Sequence, residues 1–123
     1  MTAQGHALAF LKGFALTQSV EILVVLFLLG RHFRSSCGEA ASFRIAAAAF
    51  FANMATLPYL WFVYPELLDY AWALAAGEAT ALAAEAIFYR LFLGASARAA
   101  LAASFAANAA SVLAGLLVMP PFG

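Results

Sequence analysis

The stretch Leu74–Leu93, LAAGEATALAAEAIFYRLFL, decides the fold of this chain. It is long and apolar enough to cross a bilayer as a helix, yet Glu78 and Glu85 lie inside it. The two acids are seven residues apart, which is nearly two helical turns, so both carboxyl groups project from one side of the helix. Because a carboxylate facing lipid costs at least ~2.5 to 3.5 kcal/mol, that side is predicted to face protein or water.

The composition of the whole chain is that of a membrane protein. Hydrophobic residues make up 67% of it and charged residues only 10%, whereas about 25% charged residues is usual in soluble domains. Six basic residues balance six acidic ones, so there is no basic surface for nucleic acid. We expect an all-α integral membrane protein that contacts the lipid bilayer, forms a single membrane domain over residues 1–123 and binds no nucleic acid.

Four windows of the sequence are long and apolar enough to span a membrane. They run from about Ala7 to Leu29, Phe43 to Val63, Leu67 to Phe92 and Ala97 to Met119. Gly30 and the basic residues that follow it predict the end of the first helix at a membrane surface. The four windows leave no room for a soluble domain.

Local signals predict where the second helix begins and bends. Ser36 and Glu39 have the spacing of a capping box, so this helix is expected to begin in the segment SSCGEAA, residues 35–41. Pro58 removes one backbone hydrogen bond and frees the carbonyl of Met54, which predicts a kink in the outer half of the helix.

Two further signals concern the second half of the chain. Pro65, Glu66 and Asp69 suit the first turn of the third helix, because proline is favoured near its first position and acids stabilise the positive end of its dipole. Residues 94–96 are too few for more than a tight connection, so the third and fourth helices are predicted to form a hairpin.

The charges predict an orientation. Five of the six positive residues flank the first and third connections, and only Lys12 lies at the opposite surface. The positive-inside rule therefore places both termini outside the cytoplasm. Aromatic residues near the second connection fit the belt expected at the outer surface. The five positive residues are Arg31, Arg34, Arg44, Arg90 and Arg98, and the belt comprises Tyr59, Trp61, Tyr64, Tyr70 and Trp72.

The sequence also contains an internal repeat. FFANMATL at residues 50–57 resembles FAANAASV at residues 105–112, an offset of 55. Earlier in each copy, Gly13, Glu21, Gly30 and Arg34 match Gly77, Glu85, Gly94 and Arg98 at an offset of 64. We therefore predict two repeated helical hairpins, at about residues 7–63 and 67–119, related by a pseudo-two-fold axis along the membrane normal.

Two short motifs resemble those of a family of small four-helix prokaryotic membrane proteins of uncharacterised function. They are Asn-x-x-Thr-x-Pro, matched by Asn53, Thr56 and Pro58, and Ala-Asn-x-x-Ser, matched by Ala107, Asn108 and Ser111. The resemblance covers the second to fourth helices and implies a multi-pass protein of the prokaryotic inner (cytoplasmic) membrane. It implies no reaction and no substrate. No cofactor is predicted, because neither His6 nor His32 lies at mid-membrane, where a haem ligand would usually stand.

Every predicted helix contributes polar groups at a similar depth. Asn53 and Asn108 fall at helix midpoints, Glu21 and Glu85 lie about three residues, or ~4.5 Å, toward the cytoplasm, and Glu78 lies slightly outside the centre. Carboxylate and amide oxygens suit H⁺, Na⁺ or a hard divalent cation. The predicted ion- or proton-binding residues are Glu21, Glu78, Glu85, Asn53, Asn108, Thr56, Ser104 and Ser111.

A purely structural interpretation competes with this site. Asn and Ser side chains often join membrane helices, at about 0.6 kcal/mol for each hydrogen bond, and neutral carboxyl groups can do the same. Gln18 is predicted to add only a local hydrogen bond. Small residues are predicted to let the last two helices approach closely; they are Ala75, Ala79, Ala83, Ala99, Ala103 and Ala107. Three acids without an intramembrane Lys or Arg, however, exceed what helix association needs.

Two functions remain open from the sequence. The first is proton or small-cation translocation, for which four helices would be expected to form a homo-oligomer. The alternative is a non-catalytic subunit or assembly factor of a larger membrane complex. An enzyme is not predicted, because the chain has no His-Glu-x-x-His, Gly-x-Ser-x-Gly or Cys-x-x-Cys motif. The sequence does not specify a metal.

Overall fold

The computed structural model describes the backbone of residues 2–37 and 40–118, and the side chains of residues 2–30 and 41–118. Over these residues the fold is all-α, as predicted. Its elements in chain order are α1 (Ala3–Cys37), α2 (Ala40–Pro58), a π-helical segment (Tyr59–Val63), the short helix α3 (Tyr64–Leu67), α4 (Tyr70–Leu93) and α5 (Ala97–Val118).

Four stretches of this helical chain are long and apolar enough to cross a membrane. They are Ala3–Gly30, Ala41–Leu67, Tyr70–Leu93 and Ala97–Val118. The prediction of a four-helix, multi-pass membrane protein is therefore confirmed. The C-terminal bound of the last predicted span, Met119, lies outside the described residues.

The first helix does not end at Gly30, as the sequence predicts, but continues to Cys37. A glycine ends a helix where it adopts the left-handed conformation, and only Gly94 has a positive φ (66°) within residues 2–37 and 40–118. Ser36 lies inside α1 and so cannot cap the next helix, while Glu39 lies outside the described residues. The second helix does begin in the predicted segment, at Ala40.

The connection between α2 and α4 is more elaborate than predicted. Pro58 is the last residue of α2, and beyond it the hydrogen bonding changes from α to π, which is where the sequence predicts a disturbance. Pro65 and Glu66 do not begin the third long helix but lie in α3, because Leu68 is extended and separates them from α4. Only Asp69 stands at the start of α4, as its N-cap residue.

Each of the four long helices packs against two of the others. α1 packs against α2 and α5, and α4 packs against the same two helices, so α1 and α4 lie diagonally across the bundle. We call the side where α1 begins and α5 ends the terminal side, and the opposite side the turn side. On the turn side, Gly94–Ser96 joins α4 to α5, with the Ser96 hydroxyl accepting a hydrogen bond from Ala99 N at 3.2 Å.

The turn-side half of the bundle holds the apolar core. The Arg44 guanidinium at its edge donates to Phe92 O at 3.0 Å and links α2 to α4. Small residues let the helices approach closely, but on α4 they are not those predicted, because Ala75, Ala79 and Ala83 face outward. The core comprises Val25, Leu29, Ile45, Ala48, Ala49, Ala86, Tyr89, Ala95, Ala100, Ala103 and Ala107.

Candidate functional site

Glu85 is fully buried at the centre of the bundle and is held by α5. Its Oε2 accepts a hydrogen bond from Asn108 Nδ2 at 2.6 Å. The Ser104 hydroxyl, which has one hydrogen to donate, lies 3.0 Å from the same Oε2 and 3.1 Å from Leu82 O. Asn108 Nδ2 also lies 2.8 Å from Ser104 O. These contacts fix the Glu85 carboxyl against α5 and join the two helices of the second hairpin.

Glu21 reaches the same region from the opposite corner of the bundle. It is 1% exposed, and its Oε1 accepts a hydrogen bond from the Ser111 hydroxyl at 2.9 Å. Glu21 also interacts electrostatically with Asn53, Glu78 and Glu85. The two acids of the predicted repeat therefore face one another across the bundle, with α5 contacting both.

Three buried oxygen atoms in this region make no hydrogen bond with any described residue: Glu21 Oε2, Glu85 Oε1 and the Tyr89 hydroxyl. Tyr89 interacts electrostatically with both acids. The sequence did not identify Tyr89 as a site residue, although it lies one turn after Glu85 and helical side chains lean toward the preceding turn. Unpartnered buried polar groups are rare, and their grouping here marks a site able to bind a polar species.

Gln18 joins α1 to α2, so the prediction that it makes only a local hydrogen bond is wrong. Its Nε2 donates to Phe50 O at 3.2 Å, and its Oε1 lies 3.4 Å from Asn53 Nδ2. Gln18 lies one turn from Glu21 on the same helix face, and its side chain reaches α2. The contact holds Asn53 beside Glu21.

A cavity of about 350 Å³ opens above Glu21 in the terminal-side half of the bundle. All four long helices and the π-helical segment contribute to it, and Glu85 and Ser104 are not among the residues that line it. Its polar lining comprises Thr17, Glu21, Asn53, Thr56, Tyr70, Glu78, Asn108 and Ser111, and its apolar lining includes Leu16, Leu57, Leu60, Trp61, Leu74, Val112 and Leu116. The cavity therefore reaches one acid of the pair from one side of the bundle.

Thr56 and Glu78 are lining residues of the cavity instead of members of the hydrogen-bonded cluster. The Thr56 hydroxyl donates within its own helix, to Ala52 O at 3.1 Å. Glu78 is half-buried. The structure thus brings six of the eight predicted site residues into one cluster, namely Glu21, Glu85, Asn53, Asn108, Ser104 and Ser111.

Two glycines shape the cavity by making room for bulky side chains of the π-helical segment. A Cβ atom on Gly13 would lie 2.8 Å from Trp61 Cζ2, and one on Gly77 would collide with Leu60 Cδ1. Gly13 and Gly77 are matched positions of the predicted repeat, which is the sequence signal that could have identified them. Their lack of a side chain lets Trp61 and Leu60 form part of the cavity wall.

Within the described part of the chain, no three His, Cys, Asp or Glu residues are grouped closely enough to hold a metal ion. No family model, curated protein or solved structure matches this chain. The resemblance to small four-helix prokaryotic proteins therefore stays a prediction.

Proposed function

We propose that this protein moves protons or small cations across a membrane, with Glu21 and Glu85 as the groups that carry the charge. The observation that supports this most strongly is that the cavity reaches Glu21, while Glu85 lies beside it in the sealed half of the bundle. A carboxyl group can bind a cation, or take up and release a proton, and buried acids inside membrane helices commonly mark such paths.

The hydrogen bonds favour a charge-carrying role of Glu21 and Glu85 instead of a purely structural one. Each acid is anchored through one oxygen, Glu21 by Ser111 and Glu85 by Asn108 and Ser104, and its other oxygen accepts no hydrogen bond from any described residue. Anchoring fixes the direction in which the second oxygen points, and in this proposal that oxygen takes the proton or cation. A carboxyl used only to join helices would be expected to use both oxygens.

The core on the turn side would have to open for a charge to complete its passage. Val25 and Tyr89, which follow the two acids by one turn, are both fully buried there. They are matched positions of the proposed duplicated hairpin, as are Glu21 and Glu85. In this proposal the two hairpins exchange roles, so that rearrangement would expose Glu85 to the turn side and close the cavity above Glu21.

We also propose the orientation predicted from the charges, with both termini outside the cytoplasm of a prokaryotic inner membrane. In that orientation the cavity opens away from the cytoplasm. A homo-oligomer is proposed as well, because four helices barely enclose a path. Crosslinking in the native membrane would test the last point, with monomers alone as the contrary result.

Flux measurements in liposomes test the proposed function. We expect the double variant Glu21→Gln, Glu85→Gln to reduce cation-driven or pH-gradient-driven flux to that of protein-free liposomes. Glu66→Gln is the matched control, because Glu66 is exposed on α3 and does not line the cavity; it should transport like the wild type. Wild-type flux indistinguishable from that of the double variant would refute translocation.

One observation favours the alternative, a non-catalytic subunit or assembly factor. The bonds between Glu85, Asn108 and Ser104 join α4 to α5, and such bonds can serve to hold helices in register. In that case mild detergent should extract the protein together with a stoichiometric partner chain. Recovery of this chain alone, with active flux, would exclude the alternative.

A further inference from the structure

The cavity above Glu21 is much larger than a proton or a bare metal ion requires. Its volume of about 350 Å³ lies within the range of roughly 300 to 1,000 Å³ that is typical of small-molecule sites. A bare metal ion needs a surrounding shell of oxygen ligands. Most of the polar groups gather toward the end where Glu21 lies, and the remaining wall is made mainly of leucine, valine, tryptophan and tyrosine side chains.

The charges that line the cavity are of one sign. Glu21 and Glu78 are acidic, and no Lys, Arg or His residue of the described part of the chain lines the cavity. One oxygen of Glu21 has no hydrogen-bond partner among the described residues, and the side chain is 1% exposed. A buried carboxylate without a counter-ion is costly, so a positively charged group bound beside it would lower the free energy of both.

Trp61 gives the wall an aromatic surface. Its indole ring packs at Gly13, where a larger residue would displace it, and it lines the cavity together with Leu57 and Leu60. Tryptophan is the side chain that binds cations most strongly through its ring face. The cavity thus combines an acidic end with an apolar and aromatic body.

We propose that this cavity binds a small organic cation, a protonated amine with an apolar or aromatic body. The ammonium group lies at Glu21, with the amide groups of Asn53 and Asn108 beside it, and the body lies against Trp61 and the leucine side chains. The proposal rests on the proposed function, because it takes Glu21 as the charge-carrying group, and it deepens that function by naming the class of cation.

The wall also offers a route from the lipid. Leu74 on α4 and Leu116 on α5 line the cavity although they are 42% and 56% exposed. The hydrogen bonds recorded between these two helices lie deeper, at Ser104 and Asn108. An amphiphilic amine that partitions into the bilayer can therefore reach the cavity between the terminal-side ends of α4 and α5.

Trp61 itself can report the binding. Replacing Trp72, which is 70% exposed and does not line the cavity, by Phe leaves Trp61 as the single indole of the chain. Titrating this Trp72→Phe protein in detergent with benzylammonium should give a saturable change in fluorescence. Benzyl alcohol, which has nearly the same shape without the charge, and sodium ions should each bind at least about tenfold more weakly, corresponding to ~1.4 kcal/mol or more.

Two variants in the Trp72→Phe background locate the site. Glu21→Gln should weaken benzylammonium binding at least about tenfold, whereas Glu66→Gln should leave it unchanged. Gly115→Leu provides a second test that spares the acids, because Gly115 lines the cavity and has open space where a Cβ atom would lie. It should also weaken binding, by filling the cavity.

The outcomes separate this inference from the proposed function. Equal binding of benzyl alcohol and benzylammonium, no saturable binding, or unchanged binding in both Glu21→Gln and Gly115→Leu would overturn the organic-cation site. If proton or sodium flux still depended on Glu21 and Glu85 in that case, translocation would stand without it. Saturable, Glu21-dependent binding in a protein without any flux would support the site and refute translocation.

Discussion

The two halves of the bundle are built from the same four helices yet differ in packing. On the turn side, alanines let the helices approach closely around Val25, Leu29, Ile45 and Tyr89, all of which are buried. On the terminal side the same helices surround a cavity of about 350 Å³. Glu85 belongs to the sealed half, and Glu21 lies where the cavity meets it.

The difference in packing arises from the segments that connect the helices on each side. A three-residue turn, Gly94–Ser96, holds α4 and α5 together on the turn side. On the terminal side the chain between α2 and α4 places Trp61 and Leu60 against Gly13 and Gly77. Small residues thus serve two purposes, since alanines allow close helix contact in one half and glycines admit large side chains in the other.

Leucine truncation should show the largest difference between the halves. Leu29→Ala removes a side chain from the turn-side core and should lower the free energy of unfolding by about 2 kcal/mol, because its neighbours lose their packing contacts. Leu57→Ala removes a side chain that lines the cavity and has packing neighbours on fewer sides, so it should cost less than Leu29→Ala does. Unfolding with SDS in mixed micelles measures both, and equal losses would remove the distinction between the two halves.

Glycine replacement should give the next largest effect. In Gly77→Ala the new methyl group meets Leu60, so the variant should lose about 1 to 3 kcal/mol of stability by overpacking. Gly115→Ala is the matched control at another helical glycine, because no described atom lies within 4 Å of its added Cβ, and it should be at least as stable as the wild type. A Gly77→Ala protein as stable as the wild type would show that Leu60 of the π-helical segment is not closely packed against α4.

Removing tyrosine hydroxyl groups should give the smallest effects, of opposite sign. Tyr89→Phe deletes a buried hydroxyl without a partner among the described residues and should raise stability by up to about 1 kcal/mol. Tyr64→Phe deletes a hydroxyl that lies 2.8 Å from Thr80 Oγ1 and should lower stability by about 1 kcal/mol. A destabilised Tyr89→Phe protein would mean that its hydroxyl is bonded in the folded protein.

Several features followed directly from the sequence. The four spans were predictable because each contains about 20 apolar residues. The common depth of Glu21, Glu85, Asn53, Asn108, Ser104 and Ser111 was predictable because helical depth follows from residue count. In the structure, Ser104 and Asn108 contact Glu85, and Ser111 contacts Glu21.

Other features depend on how the helices face one another. Ala75, Ala79 and Ala83 were expected at an interface but face outward, because an alanine-rich helix has small residues on several faces and its sequence does not say which one packs. Gln18 and Tyr89 were missed as site residues because the direction of a long side chain depends on tertiary contacts. The short helix α3 was missed because Pro65 suits the first turn of any helix.

The central claim is that Glu21 is reached from the terminal side while Glu85 is sealed. Two serine-to-cysteine variants test this claim, because Ser111 beside Glu21 lines the cavity and Ser104 beside Glu85 does not. In a protein whose native Cys37 is replaced by Ser, we predict that a small cationic methanethiosulfonate reagent modifies Ser111→Cys rapidly and Ser104→Cys slowly or not at all. Equal rates, or faster modification at position 104, would contradict the account.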